Sequence, residues 1–426
     1  MADWEVEKAQ SLKGEIEVAG DKSISHRAVI FACLARGKSR IKGWLKARDI
    51  FSTIQAFQNL GVKIEINDEL IVYGQGKYGL KKSEKVLDLG NSGTGFRLLT
   101  GVLAGQNFST TLTGDETLQR RPMKRIIIPL RMMGAEIRAR DDEYPPLEIQ
   151  GGDLKAIEYQ LPVASAQVKS AILLATLYAE GRTRIKEPAQ SRDHTERLLK
   201  YFGIELKNNQ GWLELEGGGE LSARDIEVVG DISSASFFIV AGILVNGSEI
   251  LLKNVGINPT RSGILEVLEK MGAKIERLNQ REVCGEPVAD LLIKSQPLKG
   301  VEIKGEIIPR VIDELPILAV AGALAQGKTI IKDARELRVK ESDRIHSMTV
   351  ELRKMGAKIE ELEDGMVIEG VEELEGAEVY SHKDHRVAMS LAIAGLCARG
   401  RTRIKSVEWA ETSFPDFFNK LKQLVA

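Results

Sequence analysis

Residues 321–332 read AGALAQGKTIIK, and two different folds compete for them. Within that stretch GALAQGKT, 322–329, matches the phosphate-loop pattern G-x-x-x-x-G-K-[ST] letter for letter. Such a loop needs a strand before it and a helix after it, because the phosphate is cradled by amides at a helix start. Here an apolar helical run precedes the glycine and the β-branched TIIK follows, so the order is reversed. The phrase returns as AGLCARGRTRIK (394–405) without the lysine. We therefore read a helix, a glycine cap and a strand, and set nucleotide binding aside.

The same phrase recurs along the whole chain, as ACLARGKSRIK, GVLAGQNFSTTL, ATLYAEGRTRIK and AGILVNGSEILLK. Its turn glycines are Gly37, Gly105, Gly181, Gly247, Gly327 and Gly400, about seventy residues apart. A second helix follows each, and five of the six copies then run into NLGVKIE, MMGAEIR, YFGIELK or KMGAKIE, the last used twice. The sixth ends the chain at NKLKQLVA, where that signature would begin. One unit thus reads strand, helix, strand, helix, glycine cap and a pair of strands, which places the chain in the α/β (α+β) class. We expect three units per domain, with EIEVAG (15–20) opening the first unit, IEVVG (226–230) opening the fourth, and a hinge near Gly230. GQGKYG (74–79) also matches G-x-G-x-x-G, but a further strand rather than a crossover helix is expected after it, so it reads as a glycine-rich hairpin.

A length of 426 residues exceeds one ordinary core and calls for two or three domains. With 43% hydrophobic and 28% charged residues the composition is that of a soluble globular protein. Sixty basic and 61 acidic residues leave a net charge of -1, so no global field draws in nucleic acid or an acidic membrane. The N-terminal MADWEVEKAQ lacks targeting character and no apolar run reaches membrane-span length, so a cytoplasmic location is expected. Cys33, Cys284 and Cys397 read as reduced residues, and the close pair in HKDH (382–385) has no ligand cluster beside it, so neither metal nor cofactor is expected.

Chemistry-bearing residues gather at expected helix starts, where unpaired amides and the positive dipole end favour anions. DKSISHR offers Lys22, Ser23 and Arg27; LGNSGTGFR offers an anion nest around Gly93 and Thr94; LQRRPMKR offers Arg120, Arg121, Lys124 and Arg125 around a proline expected at the first helical position. VASAQVK adds Ser165, Gln167 and Lys169, and QSRDHTE adds Ser191, Arg192 and Asp193. VIDELP carries Asp313 and Glu314, and HKDHR carries Lys383, Asp384 and Arg386. In ELRVKESDRIH (336–346), read as one helix, Lys340 and Arg344 stand one turn apart beside Glu341, a repulsion that a bound anion relieves. Singly, each stretch is also explained by ordinary capping or a surface ion pair. Together they suggest a small substrate, or two, carrying several negative charges, with Asp313 and Glu341 able to move protons.

The ordered set GDKSISHR, GNSGTGFR, RRPM, SAQVKS, SRDHTE, DELP, LRVKESDRI, DHRVAM and TSFPDF resembles the enolpyruvylshikimate-phosphate synthase (3-phosphoshikimate 1-carboxyvinyltransferase) family, from about residue 11 to residue 418. The resemblance implies a two-domain inside-out α/β barrel, each domain holding three βαβαββ copies. Domain I would be 1–20 with 229–426 and domain II 21–228, with hinges near 20 and 230 and an active site in the interdomain cleft. The implied reaction transfers the enolpyruvyl group of phosphoenolpyruvate to the 5-hydroxyl of shikimate 3-phosphate, releasing phosphate, in aromatic amino-acid biosynthesis. By motif, Lys22, Ser23, Arg27, Ser165, Gln167, Asp313 and Lys340 would hold shikimate 3-phosphate. Lys22, Gly93, Arg121, Gln167, Arg344 and Arg386 would hold phosphoenolpyruvate, with Asp313, Glu341 and Lys22 catalytic. Partners would be these small molecules alone, acting on a monomer with no nucleic acid or membrane, and two polyanions would draw an open hinge closed. Gly93 is retained where a bulkier residue would crowd glyphosate, so inhibition by glyphosate is expected.

Three positions depart from many family members. Ala166 stands where a second serine is common; Glu411, Thr412 and Ser413 precede the Phe-Pro pair where a lysine is common; and SRDHT lacks a tyrosine that packs on the shikimate ring. The competing UDP-N-acetylglucosamine enolpyruvyl transferase family carries a cysteine in the region of LQRRPMKR, and this chain has none there. A polyanion or RNA-binding module is the alternative from another class, with 5% aromatic residues offering little for stacking.

Overall fold

The computed structural model describes residues 3–425, with Thr412 described in its backbone alone. The chain divides into two units. One comprises the chain through Asp21, Val229–Glu282 and Pro287 onward; the other comprises Lys22–Val228 and the four residues Val283–Glu286. No helix among the described residues is long and apolar enough to cross a membrane.

The helices follow the repeat. Those of the Lys22–Val228 unit are α1 (Lys22–Leu34), α2 (Arg48–Asn59), α3 (Gly93–Ala104), α4 (Lys124–Met132), α5 (Ala166–Thr176) and α6 (His194–Tyr201). The other unit holds α7 (Ile232–Leu244), α8 (Gly263–Lys270), the single turn α9 (Ile308–Val311), α10 (Leu315–Ala323), α11 (Arg344–Lys354), α12 (His385–Leu396) and α13 (Phe417–Leu424). The first full helix of each repeat is apolar nearly all round and is buried accordingly: every residue of α10 is buried, and so is α1 from Ile24 onward. In one unit α3 packs on both α1 and α5, and in the other α7, α10 and α12 pack on one another. Helices therefore fill the centre of each unit and sheets lie outside, the inside-out arrangement. Close approach in the centre needs small residues. A Cβ on Gly101 of α3 would lie 2.3 Å from the carbonyl oxygen of Ala171 in α5.

Five repeats build the same four-stranded sheet, with one parallel pair and two antiparallel pairs. In the second, Leu87–Asp88 runs parallel to Ser109–Thr113, which pairs antiparallel with Tyr144–Gln150, and that strand with Glu136–Arg140. The opening strands of the first and fourth repeats are exchanged relative to the sequence reading. Lys13–Glu17, expected to open the first, lies parallel to Glu249–Gly256 of the fourth, whereas Ile226–Glu227 lies parallel to Arg36–Lys42 of the first. The two crossovers run side by side at that point, with Asp21 N–H donating to Val229 O at 2.8 Å and Asp231 N–H donating to Ala19 O at 2.9 Å. The sixth repeat, which lacks its last strand pair, is completed from the other terminus. Asp3–Glu7 pairs antiparallel with Arg401–Lys405, from Asp3 opposite Lys405 to Glu7 opposite Arg401.

Four local expectations change. Residues 336–346 are not one helix: a 3-10 turn, Arg335–Val339, ends at an extended Lys340, and α11 begins only at Arg344. Pro122 is not at a first helical position, because α4 starts two residues later at Lys124. GQGKYG is no hairpin, since Leu70–Gln75 pairs with Arg36–Lys42 and Lys63–Ile66 and the glycines lead into a loop. Gly105 has φ -94, unlike the other five turn glycines, which all have positive φ. It is required for space instead, since a Cβ there would lie 2.2 Å from the Tyr178 ring. The strand Lys328–Ile331 does follow α10, the reverse of a phosphate loop.

Candidate active site

Each unit brings the starts of its central helices together, and the sequence-marked residues fall there. In the Lys22–Val228 unit the starts of α1, α3 and α5 are joined by side-chain bonds. Gln167 of α5 donates from Nε2 to Thr94 Oγ1 of α3 at 2.9 Å and accepts from Arg97 Nη1 at 2.7 Å. Arg121 Nη2 donates to Asn91 Oδ1 at 2.9 Å, just before α3. Lys22, the first residue of α1, forms an ion pair with Asp49 of α2. Ser165 caps α5, accepting from Val168 N–H at 3.4 Å, and Ser23 is half-buried on the first turn of α1. Arg27 is sealed, only 2% exposed, with Nε on Thr195 Oγ1 at 2.6 Å and Nη2 on Ser170 Oγ at 2.8 Å.

Of the nest expected around Gly93 and Thr94, the Gly93 amide is already engaged. Gly93 N–H donates to Asn91 O at 2.9 Å and Gly95 N–H to Ser92 Oγ at 3.1 Å, so both amides are taken within the turn. What Gly93 offers instead is room for two guanidinium groups. A Cβ there would lie 2.9 Å from Arg97 Nη1 and 3.3 Å from Arg121 Nη1. Lys169 also departs from its expected role: only 2% exposed, its ammonium lies 2.7 Å from Glu187 and 2.6 Å from Glu196, a closed buried ion group.

In the other unit the starts of α7, α10, α11 and α12 meet around Asp313. Arg344 Nη1 reaches Asp313 Oδ1 at 3.4 Å, its Nη2 reaches Glu341 Oε2 at 2.7 Å and its Nε reaches Asp384 Oδ2 at 2.8 Å. Arg386 Nη2 and Arg261 Nη1 each lie 3.9 Å from Asp313 Oδ2. Arg261 in turn pairs with Asp231, the cap of α7, at 2.9 Å, while Ser233 hydrogen-bonds Glu314. Lys340 pairs with Glu336 at 2.8 Å. The Glu341 to Arg344 pair is thus present in its own right, and Lys340 and Arg344 do not share a helical turn, because Lys340 is extended and α11 begins at Arg344.

Electrostatics follow burial. Burial works against the charge of Asp384, but Arg344 beside it prevails and holds the carboxyl below its ordinary range. Burial would likewise lower the pKa of Arg344, yet Asp384, Glu341 and Asp313 outweigh it and hold the guanidinium charged. Glu314 is pushed up by burial against the pull of Arg261 and Arg386. His26, wholly buried, is held well below its ordinary value by burial and then by Lys22 and Arg27, so it is neutral.

Asp49, Arg97 and Arg261 belong to these clusters and were not singled out by sequence reasoning. Arg97 lay inside a quoted motif, and only its distance from Gln167 distinguishes it from a surface arginine. Asp49 and Arg261 sit in ordinary helical and loop sequence that carries no signal. Of the three departures, Ala166 is the first residue of α5, His194 Nδ1 lies 2.7 Å from Glu286 Oε1, and the Thr412 side chain lies outside what the structure describes.

Comparison with known proteins points to one family. The family model EPSP synthase (3-phosphoshikimate 1-carboxyvinyltransferase) matches residues 6–421. A 3-phosphoshikimate 1-carboxyvinyltransferase of Thermodesulfovibrio yellowstonii is 55% identical over 424 residues, covering 98% of this chain and 99% of that protein. One from Geobacter sulfurreducens is 53% identical over 411 residues, covering 96% of each. Among solved structures, an EPSP synthase from Acinetobacter baumannii superposes with a TM-score of 0.91 at 44% identity, over 99% of this chain and 98% of that one.

Proposed function

The chain belongs to the EPSP synthase (3-phosphoshikimate 1-carboxyvinyltransferase) family, and from that premise we propose how its own residues carry the reaction. The enolpyruvyl group of phosphoenolpyruvate moves to the 5-hydroxyl of shikimate 3-phosphate and phosphate leaves. The hydroxyl oxygen bonds to the central carbon of phosphoenolpyruvate as its methylene carbon gains a proton, giving a tetrahedral intermediate. The bond to the phosphate oxygen then breaks and the methyl group returns its proton, restoring the double bond. One proton must be removed from the hydroxyl, and another delivered to carbon and later recovered.

The observation that carries this assignment is a single buried guanidinium among three carboxylates, the sealed Asp384 at 2.8 Å and two that remain partly exposed, Asp313 at 3.4 Å and Glu341 at 2.7 Å. Asp313 takes the hydroxyl proton and Glu341 serves the methylene carbon. Arg344 is rigid and permanently charged, so it fixes their separation and favours negative charge as it develops. Arg386 and Lys340 supply further positive charge toward phosphoenolpyruvate and shikimate 3-phosphate respectively. Lys22, Arg121 and Gln167, with Gly93 leaving room for the guanidinium groups, hold phosphoenolpyruvate. Lys22, Ser23, Ser165 and Gln167 hold shikimate 3-phosphate, with Arg27 and Asp313 completing that set. The chain works as a cytoplasmic monomer without metal or cofactor.

Phosphate release from phosphoenolpyruvate, measured with shikimate 3-phosphate or with UDP-N-acetylglucosamine and without added metal, tests the reading. Release is expected with shikimate 3-phosphate alone. Release with the nucleotide sugar, or with neither acceptor, overturns it.

A further inference from the structure

The His26 side chain hydrogen-bonds Thr53 and Ser92, neither assigned above to a ligand, yet it sits beneath the turn that carries Gly93 and is held by Arg121 and Gln167. Its ring is 0% exposed, with Nδ1 2.9 Å from Thr53 Oγ1 of α2 and Nε2 3.3 Å from Ser92 Oγ, the cap of α3. The neighbouring bonds fix the direction of each proton. Thr53 lies 3.4 Å from the carbonyl of Asp49, one turn back, and a helical threonine donates to that carbonyl, which leaves its oxygen to accept from His26 Nδ1–H. Ser92 Oγ already accepts Gly95 N–H at 3.1 Å, so its own proton points to His26 Nε2. A one-way chain therefore runs from Gly95 N–H through Ser92, His26 and Thr53 to the carbonyl of Asp49, whose side chain holds Lys22.

We propose that His26, as a neutral imidazole protonated at Nδ1, is a positioning residue for phosphoenolpyruvate that braces the first turn of α3 against α2. Ser92 is flanked by Asn91, which holds Arg121, and Gly93 and Thr94 follow, the latter held by Gln167. Freeing Ser92 lets the Arg121 and Gln167 contacts shift together, while Asp313, Glu341 and Arg344 are untouched. The space is tight enough to transmit this: a Cβ on Gly95 would lie 2.5 Å from Thr53 Oγ1, 2.9 Å from Ser92 Oγ and 3.5 Å from the His26 ring. The inference rests on the assignment of Arg121 and Gln167 to phosphoenolpyruvate.

The test is steady-state kinetics on the full chain with both substrates varied. His26→Asn keeps a donor toward Thr53 and loses the acceptor for Ser92, whereas the longer amide of His26→Gln restores an acceptor there. His26→Asn is expected to raise KM for phosphoenolpyruvate roughly three- to tenfold, the scale of one lost hydrogen bond. KM for shikimate 3-phosphate and kcat should stay within about twofold, and His26→Gln should recover most of the loss. Ser92→Ala should reproduce the KM change without altering the histidine, and the His26→Asn/Ser92→Ala double variant should be no worse than the poorer single one. A uniform change in kcat and both KM values, or no rescue by glutamine, overturns the brace. Arg121→Met reports on the underlying assignment. An unchanged KM for phosphoenolpyruvate there removes that ligand from the α3 turn, and a raised KM with an unmoved His26→Asn removes the brace alone.

Discussion

Asp313 and Glu341 share one arginine and face the same consequence when neutralised. Each is partly exposed, at 16% and 26% of its side chain, so an amide can be solvated in place of the carboxylate. Glu341→Gln and Asp313→Asn should therefore each lower kcat by roughly 10²–10⁴ while the melting temperature moves little. A loss below tenfold for both would remove them from the proton transfers. Residue types at the site were legible from the sequence, because charged residues beside helix caps are conspicuous. Their exposure was not. Arg344 is 1% exposed and Arg27 2%, and nothing in SHR or DRI distinguishes them from solvent-facing arginines. Burial is set by what packs over a side chain, and the partners here are distant in sequence: Thr195 and Ser170 for Arg27, Asp384 for Arg344.

At the level of the element, helix starts were readable because their capping chemistry is local. Ser92, Ser165, Asp231 and Asp384 each accept a backbone N–H at the start of an expected helix. The interruption at Lys340 was not readable, since every residue of 336–346 tolerates a helix and the cap at Asp343 competes with simple continuation. Helix-to-helix distance was equally hidden. The Ala171 carbonyl stands where a side chain on Gly101 would go, and the glycine is otherwise one small residue among many in α3. Gly101→Ala should destabilise the chain by about 1–3 kcal/mol through overpacking against backbone that cannot yield. Thermal unfolding at matched pH checks this, and an unchanged or raised melting temperature would mean that α3 and α5 separate at little cost.

Across the whole molecule the termini and crossovers are tied by strand pairing that no local signal announces. Removing residues 1–7 should leave Arg401–Lys405 without its antiparallel partner and strip Trp4 from Phe418, on which it stacks at 4.8 Å. An open edge and lost apolar cover should lower the melting temperature and promote aggregation. A truncated chain whose calorimetric trace overlays that of the full chain would refute this.

The sequence by itself determined the repeat, the helix and strand types within it, the rejection of the phosphate loop and the chemical character of the site, because periodicity, caps and charge act over a few residues. Only the tertiary structure decided that Lys13–Glu17 and Ile226–Glu227 change places, that the N-terminal strand completes the last repeat, and which cations are sealed. Near-identical repeats present near-identical strand edges, so local chemistry cannot choose between them. The choice falls to chain connectivity and to the burial that packing imposes.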